Sequence, residues 1–230
     1  MKKIGIIIAD EMEFAPFLET VKKDYPVTEK LYMNYSAISF AIGDTEIIAI
    51  KSRIGKVNAA VCATMLAIDR CDCIINSGYS GAVKGVKRGE LIAGSSYIEA
   101  DFDLTPLGYA VGEKPEQVYS YTADSKLISA FRQICDCTEG KIGCGDFFLT
   151  DSSLKEKYHN IFGIKAFDME SGAIASVCHS AGIPFASLRK VSDGDGEQSD
   201  AASEYIEMNE EMDTKLFEIL LKTAKCLAAK

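Results

Sequence analysis

Residues 3–14 read KIGIIIADEMEF, and this stretch sets the fold class. Residues 4–9 are apolar throughout and too few to cross a bilayer, so they read as a strand buried on both faces, the habit of parallel sheets covered by helices. Behind them stand Asp10, Glu11 and Glu13, then Phe14, Phe17 and Leu18 at the spacing of an amphipathic helix. A buried strand that turns through an acidic corner into a helix is the first half of a strand–helix unit.

The same alternation recurs along the chain. Residues 38–42 and 47–50 read as strands joined by a turn at Gly43 and Asp44, followed by a helix over 57–68. Residues 73–76 form the next strand and run into Ser77, Gly78, Tyr79, Ser80 and Gly81, read as a glycine–serine turn that lets backbone approach a ligand. Strands are expected at 141–144, 166–167 and 185–191, with a helix over 170–181, and Met208, Met212, Leu216, Ile219 and Leu220 mark one final helix. No internal repeat or low-complexity linker interrupts, so residues 1–230 read as one domain with a three-layer α/β/α architecture and a mixed, mainly parallel sheet. Ligands of such sheets sit beyond the carboxyl ends of strands, which directs attention to residues 10–13, 77–81, 168–170 and 192–195.

Composition removes several function classes. With 47% hydrophobic and 26% charged residues in 230, and a mean hydropathy of +0.03, the chain builds a sizeable core and is neither disordered, fibrous nor a membrane bundle. Its net charge of −9 tells against nucleic acid and anionic lipid as partners. Glu204, Glu207, Glu210, Glu211 and Asp213 alternate with apolar residues and read as the solvated face of a helix. The opening MKKIGIII with acidic residues directly behind it is not the pattern of a secretion signal, so reduced thiols and a cytoplasmic location are expected. Cys71 and Cys73, like Cys135 and Cys137, lack the two-residue gap of a zinc grip, and His159 and His179 have no ligand partner one helical turn away. Neither a metal nor a cofactor is expected.

Two histidines leave no Ser-His-Asp or Cys-His constellation in view. Carboxylates stand at the strand ends instead. One kept protonated in a low-dielectric pocket and another left ionised could share acid–base work, although a carboxylate behind a strand is often just a helix N-cap. The glycine turn lacks the lysine and Ser/Thr of a P-loop and the full dinucleotide spacing.

The segments KIGIIIADEMEF (3–14), KSRIGKVNAA (51–60), IINSGYSGAV (74–83), DLTPLGY (103–109), GDFF (145–148), FDMESGAIASVCH (167–179) and RKVSD (189–193) occur together and in order. As a set they resemble the nucleoside phosphorylase and nucleosidase superfamily, and within it the 5'-methylthioadenosine/S-adenosylhomocysteine nucleosidases. The resemblance implies a homodimer that cleaves the N-glycosidic bond of an adenine nucleoside, its small-molecule partner, with water. It further implies that Glu13 activates the water, that Asp193 protonates purine N7, and that Glu170 holds the ribose hydroxyls with Met169 beside the sugar. Phe148 matches the aromatic that stacks on the purine, Leu149 the residue whose backbone reads its edge, and Gly81 the backbone near ribose and water. Ile54 also matches a substrate contact, and Tyr109 matches a residue given across the dimer interface towards the 5' end.

Phosphorylases of the superfamily place arginines behind the first strand and before the glycine turn, where this chain has Glu13 and Asn76 with Ser77. Arg53 is the residue that would favour phosphate. Tyr79 replaces a small hydroxyl residue of the nucleosidases, implying a narrower pocket or a displaced water, and Gly194, Asp195, Gly196 and Glu197 make the stretch after Asp193 unusually acidic. Three readings therefore stand side by side: an adenine-nucleoside hydrolase; a purine nucleoside phosphorylase or a hydrolase of another nucleoside such as futalosine; and a nucleoside binder without turnover.

Overall fold

A computed structural model describes residues 1–194, 200–210 and 214–229, the side chains of 209 and 210 excepted. In chain order the elements are β1 (Lys3–Ile8), α1 (Glu11–Lys22), β2 (Thr28–Tyr32), β3 (Tyr35–Ile42), β4 (Thr45–Lys51), α2 (Lys56–Ile68), β5 (Cys73–Ala82) and β6 (Leu91–Glu99). After a short 3₁₀ turn (Thr105–Leu107) come β7 (Tyr121–Thr122), α3 (Ser125–Ile134), β8 (Thr138–Cys144), α4 (Ser152–Phe162), β9 (Ile164–Asp168), α5 (Ser171–Ala181), β10 (Phe185–Val191), α6 (Ala201–Glu210) and α7 (Lys215–Ala228).

The strands form one mixed sheet in the order β10-β6-β8-β9-β5-β1-β4-β3-β2, with β7 beside β6. β1 lies between β4 and β5 and is parallel to both. Its isoleucines divide between the two faces: Ile4, Ile6 and Ile8 join Phe14, Phe17, Phe131 and Phe217 in a core under α1, α3 and α7. Ile7 joins Cys62, Leu66, Ile174 and Cys178 under α2 and α5. Burial on both sides explains the unbroken apolar run, and the two helix layers with the sheet between them make the three-layer fold. Sheet closure was not foreseen. β10 also pairs with β5, so β5, β9, β8, β6 and β10 form a closed ring, with a register irregularity between Gly94 and Ser96 in β6.

Two further differences from the sequence reading have physical causes. Residues 77–81 are not a turn but the second half of β5, which continues to Ala82 because Ser77 to Ser80 pair in register with Leu188 to Val191. The expected single terminal helix is two helices, α6 and α7, with residues 211–213 between them outside the description. Met208 is buried on α6, whereas Leu216, Ile219 and Leu220 pack on α7. Unassigned from sequence were β2, β6, β7, α3 and α4. The apolar pattern of β6 is broken by Gly94, Ser95 and Ser96, and α3 and α4 announce themselves chiefly through the caps Asp124 and Asp151, whose carboxylates accept from backbone amides one turn on.

All eight cysteines are free thiols. Among the described residues no helix is long and apolar enough to cross a membrane.

Candidate active site

The carboxyl ends of β1, β5, β9 and β10 meet around a cavity of about 690 Å³, its open mouth included. Eight residues singled out from the sequence line it: Glu13, Ile54, Tyr79, Gly81, Phe148, Leu149, Met169 and Glu170. Asp193 stands directly behind that wall, and Tyr109 lies away from it on the loop after the 3₁₀ turn, partly exposed to solvent.

Glu13 occupies the third position of α1 and is 4% exposed. Its Oε2 accepts from the Asp10 amide at 3.4 Å and its Oε1 from the Tyr79 amide at 2.6 Å, so one carboxylate ties the helix start to β5. Gly78 makes this possible. Its φ is +152°, and a Cβ there would sit 2.6 Å from Glu13 Oε1. The glycine that reads as part of a turn is thus a gap in a strand, left for a side chain from another element.

At the end of β9 two carboxylates part company. Asp168 Oδ1 accepts from the Glu170 and Ser171 amides and the Ser171 hydroxyl at 2.9–3.1 Å, a local turn that holds the start of α5. Both residues line the cavity, but Glu170 Oε1 accepts from the Gly55 amide of another segment at 3.1 Å.

Arg189, which sequence reasoning quoted but gave no role, is the hub of the site. It is 1% exposed within β10, and its Nη2 lies 2.9 Å from Asp168 Oδ2, 3.3 Å from Glu170 Oε2 and 2.5 Å from Asn76 Oδ1. Nη1 donates to the Tyr79 carbonyl at 3.2 Å and Nε to the Ser187 hydroxyl at 3.1 Å. The buried guanidinium is therefore paired and hydrogen-bonded on every side, the condition under which a charge is tolerated away from water.

Asp193 follows β10 and is fully buried. Its Oδ1 accepts from the Ser192 hydroxyl at 2.9 Å, and its Oδ2 faces the Lys155 ammonium of α4 at 3.2 Å. A Cβ on Gly81 would come within 3.1 Å of Oδ1, so the absence of a side chain there leaves the acid its room beside the cavity.

Burial dominates the electrostatics. It pushes Glu13 up to about 7, against the pull of Arg189 and the Tyr79 amide. Desolvation likewise raises Glu170, with Arg189 opposing, and raises Asp193, with Lys155 opposing. Carboxyl groups whose proton affinity is raised at a cleft are suited to exchanging protons with a bound molecule.

The rest of the wall is apolar and aromatic. Tyr205 of α6 stands between Tyr79 and Phe148, edge-on to each at centroid distances of 6.3 and 5.6 Å. The bulk of Tyr79 is thus shared with a neighbouring ring. Ser80 Oγ is buried on the cavity with no hydrogen-bond partner among the described residues, a donor and acceptor held for something bound. Ser80 carried no sequence signal beyond its place behind the strand read at 73–76, and Tyr205, within α6, carried none.

Arg53 points elsewhere. Its Nη2 donates to the Asn34 carbonyl at 3.0 Å and its guanidinium covers the Tyr35 ring at 5.0 Å, off the cavity wall. Asp195, Gly196 and Glu197 lie outside the described residues. No group of three or more His, Cys, Asp or Glu side chains arranged to hold a metal ion occurs among those described.

Comparison with known proteins bears on the family and the fold. The family model of the phosphorylase superfamily matches residues 3–225. A 5'-methylthioadenosine/S-adenosylhomocysteine nucleosidase of Exiguobacterium is 33% identical over 216 residues, 89% of this chain and 91% of the relative. Among solved structures, futalosine hydrolase of Helicobacter pylori superposes with a TM-score of 0.90 at 25% identity, covering 97% of both chains. The Helicobacter pylori 5'-methylthioadenosine/S-adenosylhomocysteine nucleosidase, complexed with a pyrrolopyrimidine–pyrrolidine compound, gives 0.89 at 26% identity, again over 97% of both. A chain that matches this family over nearly all its length, and carries buried carboxylates around one cavity at its strand ends, belongs to the phosphorylase superfamily, on the side of its 5'-methylthioadenosine/S-adenosylhomocysteine nucleosidases.

Proposed function

We propose that this protein, acting as one domain, is an N-glycosidic hydrolase that releases adenine from 5'-methylthioadenosine, S-adenosylhomocysteine or both. The observation that carries the reading is the pair Glu13 and Glu170, buried on one cavity wall around Arg189, with the raised carboxyl of Asp193 behind Gly81. Departure of a purine leaves an oxocarbenium-like sugar, which anionic carboxylates stabilise, while a protonated carboxyl serves the leaving group. In this reading Asp193 gives its proton to N7, the electron pair of the C1'–N9 bond leaves with the base, and neutral adenine departs. Water attacks C1' and passes its proton to Glu13, and solvent then restores both groups. Glu170 accepts from the ribose hydroxyls, and Phe148, 44% exposed on the cavity, covers the purine face.

Water rather than phosphate is favoured because Arg189, the arginine on the cavity wall, is already committed to Asp168, Glu170 and Asn76, and Arg53 is turned away. The second reading, hydrolysis of futalosine, draws on the full-length match to a futalosine hydrolase. A homodimer is part of the proposal, supported by Leu107, Val57 and Tyr109 standing exposed. So are a cytoplasmic location and a place in methionine salvage.

The test is incubation of purified protein with methylthioadenosine, S-adenosylhomocysteine, futalosine and inosine, with and without phosphate, following free base by chromatography. Adenine release that ignores phosphate is expected. Phosphate-dependent release would make the protein a phosphorylase, release from futalosine alone would move it to the second reading, and no release by folded protein would leave a binder.

A further inference from the structure

Asp193 has a neighbour that neither its own strand nor the cavity wall supplies. Lys155 sits in the first turn and a half of α4, is only 5% exposed, and places its ammonium 3.2 Å from Asp193 Oδ2 and 3.3 Å from the Gly194 carbonyl. It is not part of the cavity wall. The other oxygen, Oδ1, takes the Ser192 hydroxyl and lies behind Gly81, which does line the cavity. Taking two charges out of water generally offsets what their attraction returns, and an apolar side chain of similar volume would hold α4 in place at no such cost. Stability alone therefore does not account for a lysine here.

We propose that Lys155 is a positioning residue for proton donation: it fixes Asp193 through Oδ2 with Oδ1 towards the leaving base, and its ammonium stabilises the carboxylate that forms as the proton departs. The inference rests on the reading of Asp193 as the general acid. In the step concerned, the Asp193 O–H bond breaks, the N7–H bond forms, and the negative charge left on the carboxylate is met by the charge already beside it. Lys155 keeps its own protons throughout.

The other charged groups around the pair, among the described residues, are few. Glu204 of α6 accepts from the Gly194 amide at 2.7 Å, and Arg189 of β10 is turned to Asp168 and Glu170. From β5 come the backbone of Gly81 and the Ala82 amide, without a titratable side chain.

The decisive measurement is the pH profile of kcat/KM for methylthioadenosine in Lys155→Met, Lys155→Gln and Lys155→Arg, each checked for native circular dichroism. The optimum of a bell-shaped profile lies midway between the titrations of acid and base, whichever is higher. A cation at this range holds a carboxylate about 1–3 pH units lower, so its removal should move the optimum up by about 0.5–1.5 units in the Met and Gln variants and lower the maximal rate. Lys155→Arg should keep the wild-type optimum. The Gln variant carries the test if Met fails to fold. An unchanged optimum in the neutral variants, or the same displacement in Arg, overturns the proposal. Asp193→Asn separates the two levels of the argument: substantial turnover in that variant removes the acid itself, whereas an inactive Asp193→Asn beside an unmoved optimum removes only the role of Lys155.

Discussion

Glu13→Gln should make the protein more stable and nearly inactive, and the size of the stabilisation should depend on pH in a prescribed way. In the folded protein burial lifts the Glu13 carboxyl from its ordinary 4.5 to about 7. A carboxyl with a raised folded pKa binds its proton more tightly when folded, so the cost of ionising it is absent below pH 4.5, grows between 4.5 and 7, and is constant above. At about 1.4 kcal/mol per pH unit the gap amounts to roughly 3 kcal/mol. Glutamine escapes that cost. It keeps an acceptor for the Tyr79 amide but loses one for the Asp10 amide, a long bond at 3.4 Å worth about 0.5–1 kcal/mol. The balance at pH 8 is roughly 2 kcal/mol in favour of the variant, or about 4–8 °C in Tm for a chain of this size. Thermal and urea unfolding of both proteins, at one protomer concentration and at half-unit steps from pH 4.5 to 8.5, would trace the curve. A stability difference that stays flat across this range, or one that favours wild type more as pH rises, would falsify the claim that Glu13 is a desolvated acid held for function.

Three other substitutions probe the same site. Gly78→Ala places a Cβ within 2.6 Å of Glu13 Oε1 at a φ of +152°, so kcat should fall by about 10²-fold or more as the carboxylate is displaced; normal turnover would show that its position is unimportant. Phe148→Ala should raise KM about tenfold with a smaller change in kcat, since a base–aromatic stack is worth about 1–3 kcal/mol, and a pure kcat effect in steady-state kinetics would argue against stacking. Asp193→Asn should lower kcat by about 10²–10⁴ while calorimetry still detects nucleoside binding, and loss of binding with kcat retained would reverse the assignment.

Much of the fold was legible because it rests on local periodicity. The run at 4–9, the helix signal of Phe14, Phe17 and Leu18, and the turn at Gly43 and Asp44 all correspond to elements of the structure. The glycine-rich segment at 77–81 was not, because glycines that admit a neighbour's side chain look the same in sequence as glycines that turn a chain. The strand-end carboxylates were legible as a set, and the family resemblance singled out Glu170 among them, but what holds each in place was not legible. Both Asp168 and Glu170 line the cavity, but Asp168 Oδ1 is spent on the amides at the start of α5 whereas Glu170 Oε1 takes the Gly55 amide, and only the fold separates these partners.

Sequence periodicity established the layered α/β class and the strand ends at which to look, and the resemblance to a known family named the candidates Glu13, Glu170 and Asp193. Tertiary structure settled which charges are buried and with whom. Arg189 lies in a strand, FASLRKV, buried along its whole length, and Lys155 in a helix, SSLKEKYHNIF, whose polar sequence suggests a solvated face. Their partners come from β9, β5 and the segment after β10, far away along the chain. Desolvation and Coulombic pairing depend on distances in space, and a proton affinity near neutrality at Glu13 exists only once the whole sheet has closed around it.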